Sequence, residues 1–162
     1  MAALDRAAGL GWLVAAVALC VCALATALIS QHAFDMQPCP WCVLQRLIFA
    51  AIAAAALLGL AWRRFGGGLM LLLAAAGMAS ALWQHFVAAA SESCVLSWPE
   101  RFIAALRLDA VLPDVFQARA SCAEAAVRLF GVPYEFWSLA LFALLAYAAL
   151  RVLRSGQRSE RT

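Results

Sequence analysis

QPCPWCVLQRLIFAAIAAAALLGLAWRR, residues 37–64, decides the fold. From Val43 to Trp62 the chain is apolar apart from Gln45 and Arg46 near its start, and it closes on Arg63-Arg64. About 20 residues of this kind match the hydrocarbon core of a bilayer. Cys39 and Cys42 stand in C-x-x-C spacing at the lip of the run, with Pro38 and Pro40 beside Cys39. A cysteine pair is therefore set where a membrane helix begins.

Working outward, three further apolar runs cover 11–29, 69–86 and 136–153. Of the 162 residues 67% are apolar and 13% charged, against about half and about a quarter in a soluble domain. This composition excludes an ordinary globular core, and a net charge of +3 gives no nucleic-acid signal. The pattern predicts an all-α membrane protein. Its form is a four-transmembrane-helix bundle, a single membrane domain over 1–162, with a short loop at 30–42 and a long one at 87–135. The first run is longer than a signal-peptide core and no small-x-small site clearly ends it, so it reads as a retained span. Gly66-Gly67-Gly68 reads as a tight turn between spans two and three. Trp12, Trp62, Trp83 and Trp137 fall near span ends, as in an aromatic belt.

All twelve basic residues are arginine. With both termini inside, the cytoplasmic pieces hold seven of them: Arg6, Arg63, Arg64, Arg151, Arg154, Arg158 and Arg161. The other side holds five, along with seven of the nine acids. The positive-inside rule therefore favours cytoplasmic termini. Both cysteine-bearing loops then face outward, which in a bacterium is the periplasm, where disulfides persist.

In the long loop, Ser97-Trp98-Pro99-Glu100 reads as a helix start, with Ser97 and Glu100 as a capping box and Pro99 tolerated in the first turn. Trp98, Phe102, Ile103 and Leu106 form one apolar face. That face suits a short amphipathic helix on the membrane surface and equally a loop helix packed on the bundle. Pro113 and Asp114 break any helix before Cys122.

Cys20 and Cys22 lie inside the first span. Two residues apart on a helix, they point to opposite faces and cannot pair, so both read as packing residues. Cys42 is placed at the start of the second span, where free N–H groups stabilise a thiolate. Arg46, one turn deeper on the same face, adds positive charge. An arginine in the first turns of a span is a functional residue by default, and the alternative is a snorkelling interfacial side chain. Gln45 and Arg46 can donate to a carbonyl of a membrane-dissolved ligand, for which a quinone is the two-electron partner of a dithiol. A zinc site is weighed as well, because C-x-x-C is half of one, but Cys94 and Cys122 are 28 residues apart. Outside the cytoplasm Cys94 and Cys122 read as a loop disulfide, structural or exchangeable, with each cysteine exposed.

Taken together, these residues resemble the disulfide bond formation protein B (DsbB) family over nearly the whole chain. The resemblance rests on Pro38-Cys39-Pro40-Trp41-Cys42 with Gln45-Arg46, on Gln84-His85 before Cys94, and on Cys122-Ala123-Glu124 followed by Gly131 and Trp137-Ser138-Leu139. Where the family often has a proline-rich approach, this chain has Ala88-Ala89-Ala90. The resemblance implies a protein-disulfide:quinone oxidoreductase of the bacterial inner membrane. Its partner is a DsbA-type periplasmic thiol oxidase with a thioredoxin fold, and its cofactor is ubiquinone or menaquinone. It implies that the partner attacks the Cys94–Cys122 disulfide at Cys94, that Cys122 then attacks Cys39, and that Cys42 is released against the quinone. Arg46 and Gln45 would hold the quinone. His85 would either contact it or sit in the headgroups as an interfacial histidine. The vitamin K epoxide reductase family also combines four spans with a C-x-x-C and a loop pair, but in the reverse order along the chain. The reading from another class is a non-enzymatic membrane protein with a structural loop disulfide or metal-binding cysteines.

Overall fold

A computed structural model describes residues 2–90 and 97–159. Cys94 and the serines before it lie outside the described residues.

Helix α1 spans Ala2–Ala33, α2 Pro40–Ala61 and α3 Arg63–Phe86. Three short helices follow, α4 Trp98–Ala105, α5 Leu108–Val111 and α6 Pro113–Phe116, and the chain ends in α7, Tyr134–Ser159. The four long helices are each long and apolar enough to cross a membrane. They pack in a ring, α1 on α2, α2 on α3, α3 on α7 and α7 back on α1, which is the four-helix membrane bundle the apolar runs foretell. Leu13, Ile52, Met70 and Leu145 fill its centre. Phe49 stacks on Phe142 at 4.2 Å and 7°. Gly77 makes room for that pair, since a Cβ there would run into the Phe142 ring.

The glycine triplet is not a turn. Gly66, Gly67 and Gly68 lie inside α3, and a single residue, Trp62, with φ −130° and ψ 82°, links α2 to α3. The physical reason is close packing. A Cβ on Gly66 would collide with the Gly59 backbone across the hairpin, and one on Gly67 would press on Leu153 and Val152 of α7. Without a hydrophobic drive between helices in lipid, small residues let backbones approach and dispersion hold them. The helices begin before the apolar runs do. The second begins at Pro40 rather than near Cys42, because Pro lacks only an N–H that the first helical position leaves unbonded anyway.

The long loop folds over the end of the bundle where α2 begins. Ser97 does occupy the N-cap of α4, but its side chain makes no capping bond and its Oγ is buried without a partner among the described residues. Ile103 is buried with Val43 and Phe116, while Trp98, Phe102 and Leu106 are exposed. The face read as one stripe thus divides: one residue packs on α2, and a stacked Trp98–Phe102 pair stays outside. The helical path breaks at Leu112, and Pro113 starts a new turn instead of ending one. Strands β1 Arg128–Leu129 and β2 Val132–Pro133 form a short hairpin. Its turn, Phe130-Gly131, has φ of 53° and 80°, as a two-residue hairpin of this twist demands.

Candidate functional site

The start of α2 is shaped by its own sequence. Cys39 is the N-cap, with extended φ −83° and ψ 167°, and its carbonyl accepts the first helical bond from Val43 N–H at 3.0 Å. Pro40 has no N–H to give. The next two amides both serve sulfur: Trp41 N–H donates to Cys122 Sγ, and Cys42 N–H donates to Cys39 Sγ at 3.2 Å. A helix end that would need water or side-chain caps is thus satisfied by two thiols.

Three of the four cysteines singled out for chemistry meet here. Cys39 Sγ lies 2.7 Å from Cys42 Sγ and is also hydrogen-bonded to Cys122. Cys39 is fully buried. Cys122 is half-buried rather than exposed, because its segment docks. Arg119 and Ala120 N–H both donate to the Pro38 carbonyl, at 2.9 and 3.3 Å. Around Cys122, Ser121 and Glu124 cap each other: Ser121 N–H and Oγ donate to Glu124 Oε2, both at 2.8 Å, and Glu124 N–H donates to Ser121 Oγ at 3.2 Å. Those bonds hold the Glu124 carboxyl below its ordinary value. Cys94, the fourth cysteine, is outside the described residues.

The two facing thiols differ in acidity. Hydrogen bonding to Cys122, then to Cys42, together with burial, pushes the Cys39 thiol well above the ordinary range. Cys122 is shifted down, by the hydrogen bond from Cys39 and by the Trp41 amide, against the opposing effect of burial. Of the two facing thiols Cys122 is therefore the more acidic and Cys39 the one that favours the proton.

Below the sulfurs lies a layer of buried amides and one guanidinium. Gln84 Nε2 donates to Cys42 Sγ at 3.4 Å, and Gln45 Nε2 donates to Gln84 Oε1 at 2.7 Å, which fixes which end of the Gln84 amide meets sulfur. Gln84 is a site residue that the sequence shows only as half of a motif; being a Gln inside an apolar span was its one signal. Arg46 is buried and clasps three partners: Gln31 Oε1 at 2.8 Å, the Val115 carbonyl at 3.0 Å and the Ala27 carbonyl at 3.3 Å. It therefore ties α1 and the long loop to α2.

Cys42, Gln45, Arg46 and Gln84 share the wall of a cavity of about 700 Å³. Leu19, Phe49 and Leu141 continue the wall along α1, α2 and α7, and Val127 and Leu129 of the hairpin segment close over it. Cys20 is buried in the core, as a packing residue should be, whereas Cys22 is exposed and lines this cavity. His85 is not part of the lining. Its Nδ1 meets Glu135 Oε1 at 2.6 Å, and Glu135 does line it.

A wall of this kind can present donors to a flat, oxygen-bearing ligand beside a reactive sulfur. The family model described as Disulfide bond formation protein DsbB matches residues 9–152. Disulfide bond formation protein B of Aromatoleum aromaticum is 31% identical over 144 residues, covering 84% of this chain and 87% of that protein. The protein of the same name from Herminiimonas arsenicoxydans is 35% identical, covering 76% and 81%. That from Azoarcus sp. is 33% identical, covering 86% and 89%.

Proposed function

The chain belongs to the disulfide bond formation protein DsbB family, and on that premise we propose that it reoxidises a DsbA-type thiol oxidase and passes the electrons to a membrane quinone. The family makes it a disulfide oxidoreductase of disulfide bond formation, and its four apolar helices make it a multi-pass bacterial membrane protein. The observation that carries the finer reading is the position of Cys39, held between Cys122 and Cys42, with Cys42 on the cavity wall. The arginine distribution supports cytoplasmic termini and periplasmic cysteine loops.

The cavity suits a quinone headgroup. It is mostly apolar, and its wall carries Gln45, Arg46 and Gln84 as donors for carbonyl oxygens. Gln37 on the same wall has a buried Oε1 without a partner among the described residues, an acceptor for a hydroxyl. A quinone bound there supplies the two-electron, two-proton acceptor.

The chain's own residues perform the exchange. The reduced partner's thiolate attacks Cys94, and its second thiol resolves the mixed disulfide, leaving the partner oxidised and Cys94 and Cys122 reduced. Cys122, the more acidic thiol, attacks Cys39 of the Cys39–Cys42 disulfide. The Cys39–Cys42 bond breaks, a Cys39–Cys122 bond forms, and Cys42 leaves as a thiolate. Cys94 then attacks Cys122, which restores the loop disulfide and leaves Cys39 and Cys42 reduced. Re-forming Cys39–Cys42 from the Cys39 thiol and the Cys42 thiolate releases two electrons and one proton.

The test uses the purified protein in detergent with a quinone analogue and a reduced DsbA-type partner. Quinone absorbance is followed, with Cys94→Ser in parallel. The reading expects bleaching by the parent and none by the variant. No bleaching by a folded parent with a matched partner removes the enzyme reading and returns the loop disulfide to a structural role.

A further inference from the structure

One pair of side chains on this site has no part in the exchange. His85 lies in the last turn of α3 and Glu135 in the first turn of α7. Their Nδ1 and Oε1 are 2.6 Å apart. Glu135 is only 5% exposed, and it lines the cavity together with Cys42. The His85 side chain is 30% exposed, with its ring against Phe86 and Phe136. The pair thus spans from the cavity to the protein surface.

A carboxyl buried at the end of a membrane helix is unfavourable unless paired. An imidazole partner offsets that and gives the pair one mobile proton, held as carboxylic acid on neutral imidazole or as carboxylate on imidazolium. The reaction needs such a proton. Reduction to a quinol takes two electrons and two protons. Cys42 leaves its disulfide as a thiolate and carries no proton, so re-forming Cys39–Cys42 yields two electrons but only the Cys39 proton, and the second proton has to enter a largely apolar cavity. The other titratable groups on the cavity wall are Cys22, Asp35, Cys42, Arg46, Arg119, Glu124 and Tyr134. Among the described residues, Glu135 is the carboxyl there that is also buried.

We propose that Glu135 is a further catalytic residue, which delivers this proton to the bound quinone, and that His85 refills it from the surface. Glu135 gives up its proton as a carboxylic acid. A proton from water then converts His85 to imidazolium, which returns one through Nδ1 to the carboxylate. The inference rests on the quinone reading above.

Glu135→Gln keeps the size and the hydrogen bond but cannot carry the proton. Quinol formation in a single turnover is expected to slow on the order of 10²-fold, the scale of a lost general acid. It should regain speed with a small weak acid such as azide or formate. Disulfide exchange between the partner and Cys39–Cys42, followed by thiol trapping without quinone, should stay within about threefold. Infrared difference spectra on adding the quinone analogue should show a carboxyl band that the variant lacks. Parental quinol formation by Glu135→Gln overturns the relay and leaves the quinone reading standing. Slow quinol formation that no weak acid rescues, together with impaired exchange, also overturns it, as a structural effect. A parent that never reduces quinone removes the quinone reading first and the relay with it.

Discussion

The two ends of α2 are built on opposite terms. At its C-terminal end, Gly59 faces Gly66 of α3 with backbones in contact, and one residue turns the chain. At its N-terminal end, Cys39, Gln45 and Arg46 are buried, Cys42 is half-buried, Gln84 of α3 packs against them, and each is hydrogen-bonded. Small residues give that first end its tightness at low conformational cost. The second end spends burial on groups that lipid would reject, and it stays folded because each is partnered. The difference separates what makes the bundle from what makes the chemistry, and substitutions at each end should report on one and spare the other.

Outside the cysteines, the largest functional effect is expected from Arg46→Ala. Removing a donor aimed at developing charge costs on the order of 10² in rate, and that loss should fall on quinone reduction. Arg46 also holds Val115 and Gln31. Leaving buried acceptors unpaired costs about 1–3 kcal/mol each, so the long loop should loosen, which protease digestion of the loop would detect. The cysteines should still form disulfides, read by thiol trapping. Quinone kinetics equal to the parent would place the ligand elsewhere.

Gly66→Ala sharpens the other side of the comparison. The added methyl meets the Gly59 backbone, which cannot rotate away as a side chain would. The overpacking should lower stability by about 2 kcal/mol, measured by unfolding in detergent. Turnover per folded molecule should stay within about twofold of the parent. A loss of turnover without a loss of stability would mean that the two ends are coupled.

The same contrast explains what the sequence made legible. Four apolar runs suffice for four spans, because length and hydropathy set a membrane helix with little help from tertiary detail. The glycine triplet misleads because Gly marks a turn in a soluble chain and a close contact in a membrane one, and only the partner backbone tells them apart. Two S-x-x-E segments carry the same point. Ser97–Glu100 has the capping-box pattern beside a Pro, yet makes no cap bond. Ser121–Glu124 has the same pattern around Cys122 and makes it fully. The difference lies in exposure: Ser97 Oγ is buried without a partner among the described residues, while Ser121 and Glu124 are exposed and close on each other. The C-x-x-C, Gln45 and Arg46 could be found because polar residues in an apolar span have few reasons to be there. Gln84 shared that signal and went unused. Glu135 did not carry it, since it stands at a polar-to-apolar boundary where a Glu in the first helical turn is ordinary.

The smallest effect is expected from replacing Cys20 and Cys22 together with alanine. Both are thiols in the span beside the reacting centre, and if proximity to the cavity were enough, Cys22 would matter, because it lines that wall. The argument against a role is connection. Cys39, Cys42 and Cys122 are linked to one another by hydrogen bonds and to the free amides of α2. Cys20 is enclosed in the apolar core, and Cys22, two residues on, faces away from it and reaches no other described thiol. A sulfur without an exchange partner has no way to pass electrons. The double variant should therefore turn over within about twofold of the parent. It should lose about 1 kcal/mol of stability, mostly from the space left by Cys20. A much larger loss of turnover, traced to Cys22→Ala alone and with quinone affinity reduced, would make the α1 wall part of the binding surface. In that case the outer end of α2 would no longer account for the chemistry by itself.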